Sequence, residues 1–109
     1  MNPAPAAPPS LAYLREAIRP ICEAHAVARI EIFGSLAEGT AHPGSDVDLL
    51  VEFVPGANAG LFEMGALQEA LTERLGCRVD LLSRRAVEKG RNLFRKRAIL
   101  AHPIMLYAR

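Results

Sequence analysis

The chain has 109 residues and a formal net charge of +1, which predicts one domain and gives no overall electrostatic signal for nucleic acid. Half of its residues are hydrophobic, but no run of about 18 apolar residues predicts a membrane span. The start of the chain lacks a basic segment followed by an apolar one. No signal peptide is therefore predicted, and a cytoplasmic location is expected.

The beginning of the chain divides into a tail and a helix. Residues 1–9 are almost all Ala and Pro, which predicts a disordered tail before a domain over residues 10–109. Ser10 is the predicted N-cap of a helix whose apolar positions run from Leu11 to Cys22. Pro20, late in this pattern, predicts a kink or an end of the helix, or the start of a second short turn.

A first strand is predicted over residues 27–33, where apolar and polar residues alternate. It stops at Gly34-Ser35, a turn whose backbone N–H groups and Ser35 hydroxyl are suited to phosphate oxygens. An ordinary strand-ending turn is the alternative for this dipeptide alone. The two aspartates that follow favour phosphate binding.

Three aspartates lie in or beside the next predicted strands. Asp46 and Asp48 open a strand predicted over residues 46–54, and alternation places both carboxylates on one face with apolar residues facing a core. Carboxylates side by side repel each other unless a cation lies between them. Asp80 lies inside a third strand predicted over residues 77–82. If this strand pairs beside the one with Asp46 and Asp48, Asp80 can complete a three-carboxylate cluster of the oxygen type that suits Mg²⁺.

Two helical regions and a short apolar end account for the rest of the chain. A helix is predicted over residues 61–75, with Gly76 as its C-terminal stop and a buried stripe at Leu61, Met64, Leu67, Leu71 and Leu75. Ser83 is the predicted N-cap of a helical turn around residues 86–89, which Gly90 separates from a helix over residues 92–101. Residues 104–107 fit either an edge strand or a helix tail.

Basic residues concentrate late in the chain, and seven of the thirteen lie between residues 84 and 97: Arg84, Arg85, Lys89, Arg91, Arg95, Lys96 and Arg97. A solvated helix face, a contact to nucleotide phosphates and a docking face for an acidic partner all fit this pattern. The cysteines, Cys22 and Cys77, are isolated and predict reduced, structural thiols. His42 is predicted to be a solvated loop residue, and His25 and His102 are predicted to lie at helix ends with terminal or capping roles.

The combination of Gly34-Ser35, a short loop, Asp46-x-Asp48 and Asp80 on a later strand resembles the DNA polymerase beta-like nucleotidyltransferase superfamily. The short length is similar to its minimal branch, the MNT-type nucleotidyltransferases, which include the antitoxins of HEPN-MNT pairs. The resemblance covers essentially the whole globular part, from Leu11 onward. It implies a small single-domain α/β (α+β) fold, with a mixed central sheet and helices on one side.

The resemblance also implies a reaction, in which a nucleoside monophosphate passes from a nucleoside triphosphate to an acceptor and pyrophosphate leaves. It implies ATP as substrate and two Mg²⁺ ions as cofactors. The catalytic and metal-binding residues would be Asp46, Asp48 and Asp80, with the first two bridging both ions. The nucleotide-binding residues would be Gly34, Ser35 and Ser45.

The chain is too short to include a domain that presents an acceptor, so a separate protein is expected to carry it. The resemblance implies a HEPN-type toxin adenylylated on a hydroxyl, commonly that of a Tyr, with no direct nucleic-acid contact. Two alternatives stay open: an idle subunit that neutralises a partner by contact, and adenylylation of a small molecule. One departure favours the idle subunit mildly, because Leu36-Ala37-Glu38 stands where minimal members often have basic residues. Arg84, Arg85 or a partner could compensate.

Overall fold

The computed structural model describes residues 7–109. Most of the predicted tail at residues 1–9 lies outside the described residues, and residues 7–9 form no helix or strand. The described residues form five helices and four strands, in the order α1 Leu11–Ala24, β1 Val27–Phe33, α2 Ser35–Glu38, β2 Val47–Phe53, α3 Leu61–Leu75, β3 Val79–Ser83, α4 Arg84–Lys89, α5 Leu93–Leu100 and β4 Ile104–Ala108.

The strands form one mixed sheet with the order β3-β2-β1-β4. The central strand β1 pairs antiparallel with both β2 and β4, whereas β2 and β3 run parallel. The parallel pair requires a crossover, and α3 provides it. This confirms the predicted small α+β fold with a mixed sheet.

The sheet has two unlike faces. On one face, apolar strand residues such as Ile30, Ile32 and Leu49 pack against α1 and α3 and form the core. The prediction that residues 47, 49 and 51 point into the core is confirmed, since all three are buried there. The other face, called the open face below, contains Asp48 and Asp80 and is covered by neither long helix.

Helix α1 begins at its predicted N-cap, because the Ser10 side chain accepts a hydrogen bond from the Tyr13 N–H. The helix continues through Pro20 to Ala24, so the prediction of an end at Pro20 is wrong. Pro20 is exposed, and the Glu16 carbonyl that its missing N–H leaves free can reach water. Burial of Ile18 and Cys22 on the opposite side holds the last turn in place.

Helix α3 has the predicted bounds, and Gly76 closes it in the left-handed conformation. Its predicted buried stripe is only partly confirmed. Leu67 and Leu71 are fully buried and Met64 and Leu75 are partly buried, but Leu61 is 92% exposed. Leu61 is the first residue of α3 and extends past the edge of the core.

The C-terminal elements settle the remaining alternatives. Ser83 and Asn92 are the N-caps of α4 and α5, and residues 104–108 form an edge strand rather than a helix tail. Ile99 and Leu106 are the buried apolar residues of this region. No helix among the described residues has both the length and the apolar character needed to cross a membrane.

Candidate active site

Two carboxylates meet on the open face, near the N-terminal ends of neighbouring parallel strands. Asp48 is the second residue of β2, Asp80 is the second residue of β3, and the two are register partners. On its other side, Asp48 pairs with Phe33, the last residue of β1. The sheet thus brings two of the predicted site residues together, directly beside the turn at Gly34.

The Gly34 backbone lies against the Asp48 side chain. Gly34 has φ 73° and ψ −152°, a combination that essentially only glycine adopts. A Cβ atom at this position would collide with Oδ2 of Asp48. Both the conformation and the close approach therefore require glycine here, and they place the turn after β1 over the carboxylates.

Asp48 is in an electrostatically unfavourable position. Its burial raises the pKa of the carboxyl above its ordinary value of 3.8, and repulsion from Asp80 and Asp46 raises that pKa further. Neither Asp48 nor Asp80 makes an ion pair within the described part of the chain. The Asp48–Asp80 pair thus has negative charge that no described cation of the protein compensates.

Asp46 lies just before β2 and has a different environment. Its Oδ2 is 3.7 Å from Nε of Arg78, and its side chain is 45% exposed. In residues 7–109 no three His, Cys, Asp or Glu side chains are grouped closely enough to hold a metal ion. The structure therefore brings Asp48 and Asp80 together and leaves Asp46 beside them in contact with Arg78.

The predicted nucleotide-binding serines differ in their local roles. Ser35 begins the four-residue helix α2, immediately after Gly34. Ser45 instead closes the turn that precedes Asp46, since its Oγ accepts a hydrogen bond of 2.9 Å from the His42 N–H. His42 is exposed, as predicted. Next to Ser35, Leu36 and Ala37 pack against the core, which explains the apolar residues at these positions.

A second carboxylate group on the open face was not predicted from the sequence. Glu31, Glu52 and Glu88, called the glutamate cluster below, surround the Arg84 guanidinium. Glu31 is only 8% exposed and hydrogen-bonds to Nη1 of Arg84. Arg29 adds contacts of 3.4 Å to Glu31 and 3.2 Å to Glu52. The sequence signal was the pair of charged residues Arg29 and Glu31, which alternate with apolar residues in the predicted first strand.

The cysteines are free thiols, as predicted. Cys22 is fully buried in the core, and this burial raises its pKa to about 12. Cys77 is half-buried, and burial followed by repulsion from Asp46 raises its pKa as well. A thiol with a raised pKa is a poor nucleophile, which agrees with the structural roles predicted from the sequence.

The sequence from residue 14 to residue 104 matches the model of the nucleotidyltransferase domain family. The chain belongs to this family. A candidate protein adenylyltransferase of Methanocaldococcus jannaschii is 40% identical over 70 residues, which are 64% of this chain and 73% of the relative. A protein adenylyltransferase of Thermococcus cleftensis is 39% identical over 70 residues, which are 62% of this chain and 67% of the relative.

Solved structures share the fold of this nucleotidyltransferase. A candidate minimal nucleotidyltransferase is 36% identical and has a TM-score of 0.65, with 88% of this chain and 95% of the other covered. A complex of the tri-AMPylated Shewanella oneidensis HEPN toxin with an MNT antitoxin contains a chain with a TM-score of 0.62. The match covers 91% of this chain and 73% of that one at 15% identity, so it shows the shared fold alone.

The residues of the candidate active site are chemically suited to a hard divalent cation. Asp48 and Asp80 provide adjacent carboxylate oxygens, the ligands that Mg²⁺ prefers, and the pKa of Asp48 is raised by burial first and then by repulsion from Asp80 and Asp46. Asp80 is exposed and Asp48 is only partly buried, so solvent can reach this pair. An anionic triphosphate could approach this negative site only with cations bound between the two.

Proposed function

We propose that this nucleotidyltransferase transfers AMP from ATP to a hydroxyl group of a partner protein, and that it acts as the antitoxin of a HEPN-type toxin. The observation that carries the proposal is the uncompensated Asp48–Asp80 pair beside Gly34, on the open face of the sheet. The names of the relatives support a protein acceptor and AMP as the transferred group. A Tyr side chain is the proposed acceptor.

Mg²⁺ would be held by Asp46, Asp48 and Asp80, with Asp46 exchanging its contact to Arg78 for the metal. Two such ions would neutralise the charge on the attacking and leaving oxygens of an in-line displacement. In this proposal Asp48 and Asp80 would act at the reacting centre, and Gly34 and Ser35 would bind the outer phosphates; the register of Asp48 with Asp80 and the start of α2 at Ser35 support these roles. Catalysis by this chain would consist largely of positioning and charge neutralisation.

The bonds that change are defined by the reactants. The acceptor oxygen would form a bond to the α-phosphorus of ATP, and the bond from that phosphorus to the bridging oxygen of pyrophosphate would break. The hydroxyl proton would pass to the Asp80 carboxylate, which is exposed and can release it to water. The reaction needs no redox partner.

The test is to mix the chain with the product of its neighbouring gene, ATP and Mg²⁺, and to measure the intact mass of that product. We expect a gain of one or more adenylyl groups, and a rate lower by about 100-fold or more with Asp48→Asn. Glu52→Gln is the matched control, because Glu52 lies on the same face in the glutamate cluster and should leave the rate unchanged. An undiminished rate with Asp48→Asn would place the site elsewhere.

A second function, neutralisation of a partner by contact alone, is favoured by one observation. Leu36 and Ala37, at the positions where basic residues would contact phosphates, are packed against the core and cannot do so. A thermal unfolding experiment separates the two functions. Catalysis predicts that ATP and Mg²⁺ together raise the melting temperature of the wild type but not of Asp48→Asn. If the protein acts by contact alone, the wild type and Asp48→Asn should both neutralise the partner, and neither should need ATP.

A further inference from the structure

Two exposed Leu-Phe pairs lie at the beginnings of helices. Leu61-Phe62 opens α3, where the side chains are 92% and 91% exposed. Leu93-Phe94 opens α5, where they are 60% and 89% exposed. Each pair leaves large apolar side chains in water, which is unfavourable and typical of a binding surface when charged residues surround it.

The two pairs begin helices that pack against different parts of the sheet, and they have different charged neighbours. Helix α3 packs on the core side of the sheet, and the acidic Glu63 follows its Leu-Phe pair. Helix α5 continues from the open face, since Leu82 of β3, two residues beyond Asp80, lines a cavity together with Arg95 of α5. The start of α5, which contains this pair, is therefore next to β3, the strand that contains Asp80.

Basic residues surround the α5 pair. Arg97 is one helical turn from both Leu93 and Phe94, Arg91 precedes them, and all three arginines of this segment, Arg91, Arg95 and Arg97, are exposed. None of these arginines makes an ion pair in the described part of the chain. Of the other basic residues between 84 and 97, Arg84 is held by the glutamate cluster and Lys96 donates to the Glu88 carbonyl. Arg91, Arg95 and Arg97 therefore provide exposed positive charge, in no ion pair among the described residues, within a few residues of Phe94.

The adjacent cavity has the size of a side-chain pocket. Its volume is about 250 Å³, and it has apolar walls at Leu82, Ala86 and Val87 with Arg91 and Arg95 at its rim. Sites for whole small-molecule ligands usually occupy about 300–1,000 Å³. One or two apolar side chains of a protein would fit this cavity better than a nucleotide. An apolar anchor in a pocket with a charged rim is the usual arrangement of a strong protein contact.

We infer that Leu93, Phe94, Arg91, Arg95, Arg97 and this cavity, together the α5 surface, dock the acceptor protein of the proposed reaction through an apolar side chain flanked by carboxylates. The inference rests on the proposed function for the identity of the partner. Its basis is the juxtaposition of an exposed aromatic residue, unpaired arginines and a side-chain-sized cavity on the open-face side of the molecule. Leu82 in the cavity wall is two residues beyond Asp80 in β3, so a partner held there would lie next to the strand that contains Asp80.

The experiment compares Phe94→Ser with Phe62→Ser, two substitutions of equally exposed phenylalanines. Binding to the product of the neighbouring gene is measured by calorimetry without ATP, in an Asp48→Asn background, so that docking is scored even if no transfer occurs. We expect Phe94→Ser to raise the Kd about 30-fold and Phe62→Ser to leave it within about twofold. Absence of binding by the parent chain, or equal losses in both variants, would overturn the inference.

Charge is tested separately with Arg95→Glu/Arg97→Glu. We expect the parent complex to weaken as salt rises and the complex of the double variant to be weaker and much less salt-dependent. Phe94→Ser is also made in an otherwise wild-type chain to test for other ligands of the α5 surface. The inference would be overturned if this variant lost thermal stabilisation by ATP, self-association, or binding to a single-stranded RNA that the wild type shows. If the wild-type chain binds the partner but transfers no AMP to it, the proposed function fails while the docking inference stands.

Discussion

The open face of the sheet contains two groups of carboxylates, one paired with arginines and one without a basic partner among the described residues. In the glutamate cluster, the more buried Glu31 is contacted by Arg29 and Arg84, and its charge is paired. In the Asp48–Asp80 pair, two aspartates face each other and no described basic residue pairs with either. Pairing stabilises the fold, whereas unpaired negative charge lowers stability and is useful only if a cation or substrate arrives. This contrast is the one expected if the glutamate cluster is structural and the Asp48–Asp80 pair has the catalytic role proposed above.

The largest effect on stability should come from Arg84→Met, which leaves Glu31 buried without its main partner. The Arg84 and Glu31 side chains are 20% and 11% exposed, so little water can replace the lost contact. We expect the free energy of unfolding to fall by about 2–4 kcal/mol in urea titrations. The neighbouring, exposed Arg85→Met is the control, with an expected change within about 0.5 kcal/mol. If Arg84→Met and Arg85→Met lower the free energy of unfolding equally, the glutamate cluster has no special structural role.

Gly34→Ala should have the next largest effect, because it combines a forbidden backbone conformation with a collision at Asp48. We expect about 1–3 kcal/mol of destabilisation together with loss of nucleotidyl transfer. Gly39→Ala is a matched control, since Gly39 also has a positive φ of 76° but open space where the Cβ would lie. That variant should lose only about 1 kcal/mol and keep its activity. Full nucleotidyl-transfer activity in Gly34→Ala would contradict the requirement for a glycine backbone close to the Asp48 side chain.

The smallest effect should be a gain in stability for metal-free Asp48→Asn at neutral pH. Because the folded-state pKa of Asp48 is raised above 3.8, the fold favours the protonated form. The wild type has this favourable contribution below pH 3.8 and loses it as pH rises through the raised pKa, whereas Asn has no charge at any pH. In EDTA, the variant should be more stable than the wild type at pH 7.

The advantage of Asp48→Asn should shrink as the pH falls towards 3.8 in thermal melts. Glu52→Gln, which removes a paired carboxylate instead, should give no gain in stability at neutral pH. If both substitutions stabilise the chain equally, the distinction between paired and unpaired carboxylates fails.

Much of this arrangement follows from local sequence patterns. The bounds of β1 and α3 were predicted to the residue, because alternation, a helical stripe and glycines at both ends define them. The adjacency of Asp48 and Asp80 depended on which strands pair, so the sequence supported it only through the family resemblance. The inward role of Arg84 could not be predicted, since it begins a basic run and its partners are distant in sequence. The exposure of Leu61 and the continuation of α1 through Pro20 could not be predicted either, because both depend on where the core ends.

The strand order also has a consequence for the synthesis of the protein. Strand β1 needs β4 on its second edge, and the whole interval from Gly34 to Pro103 must be translated before that edge can be covered. At about 5–20 residues per second, an apolar edge with free N–H and C=O groups remains available for several seconds in every nascent chain. Chaperones that bind extended segments would therefore bind β1 in the nascent chain. Destabilised variants should aggregate during synthesis, even under conditions in which the finished protein would stay folded.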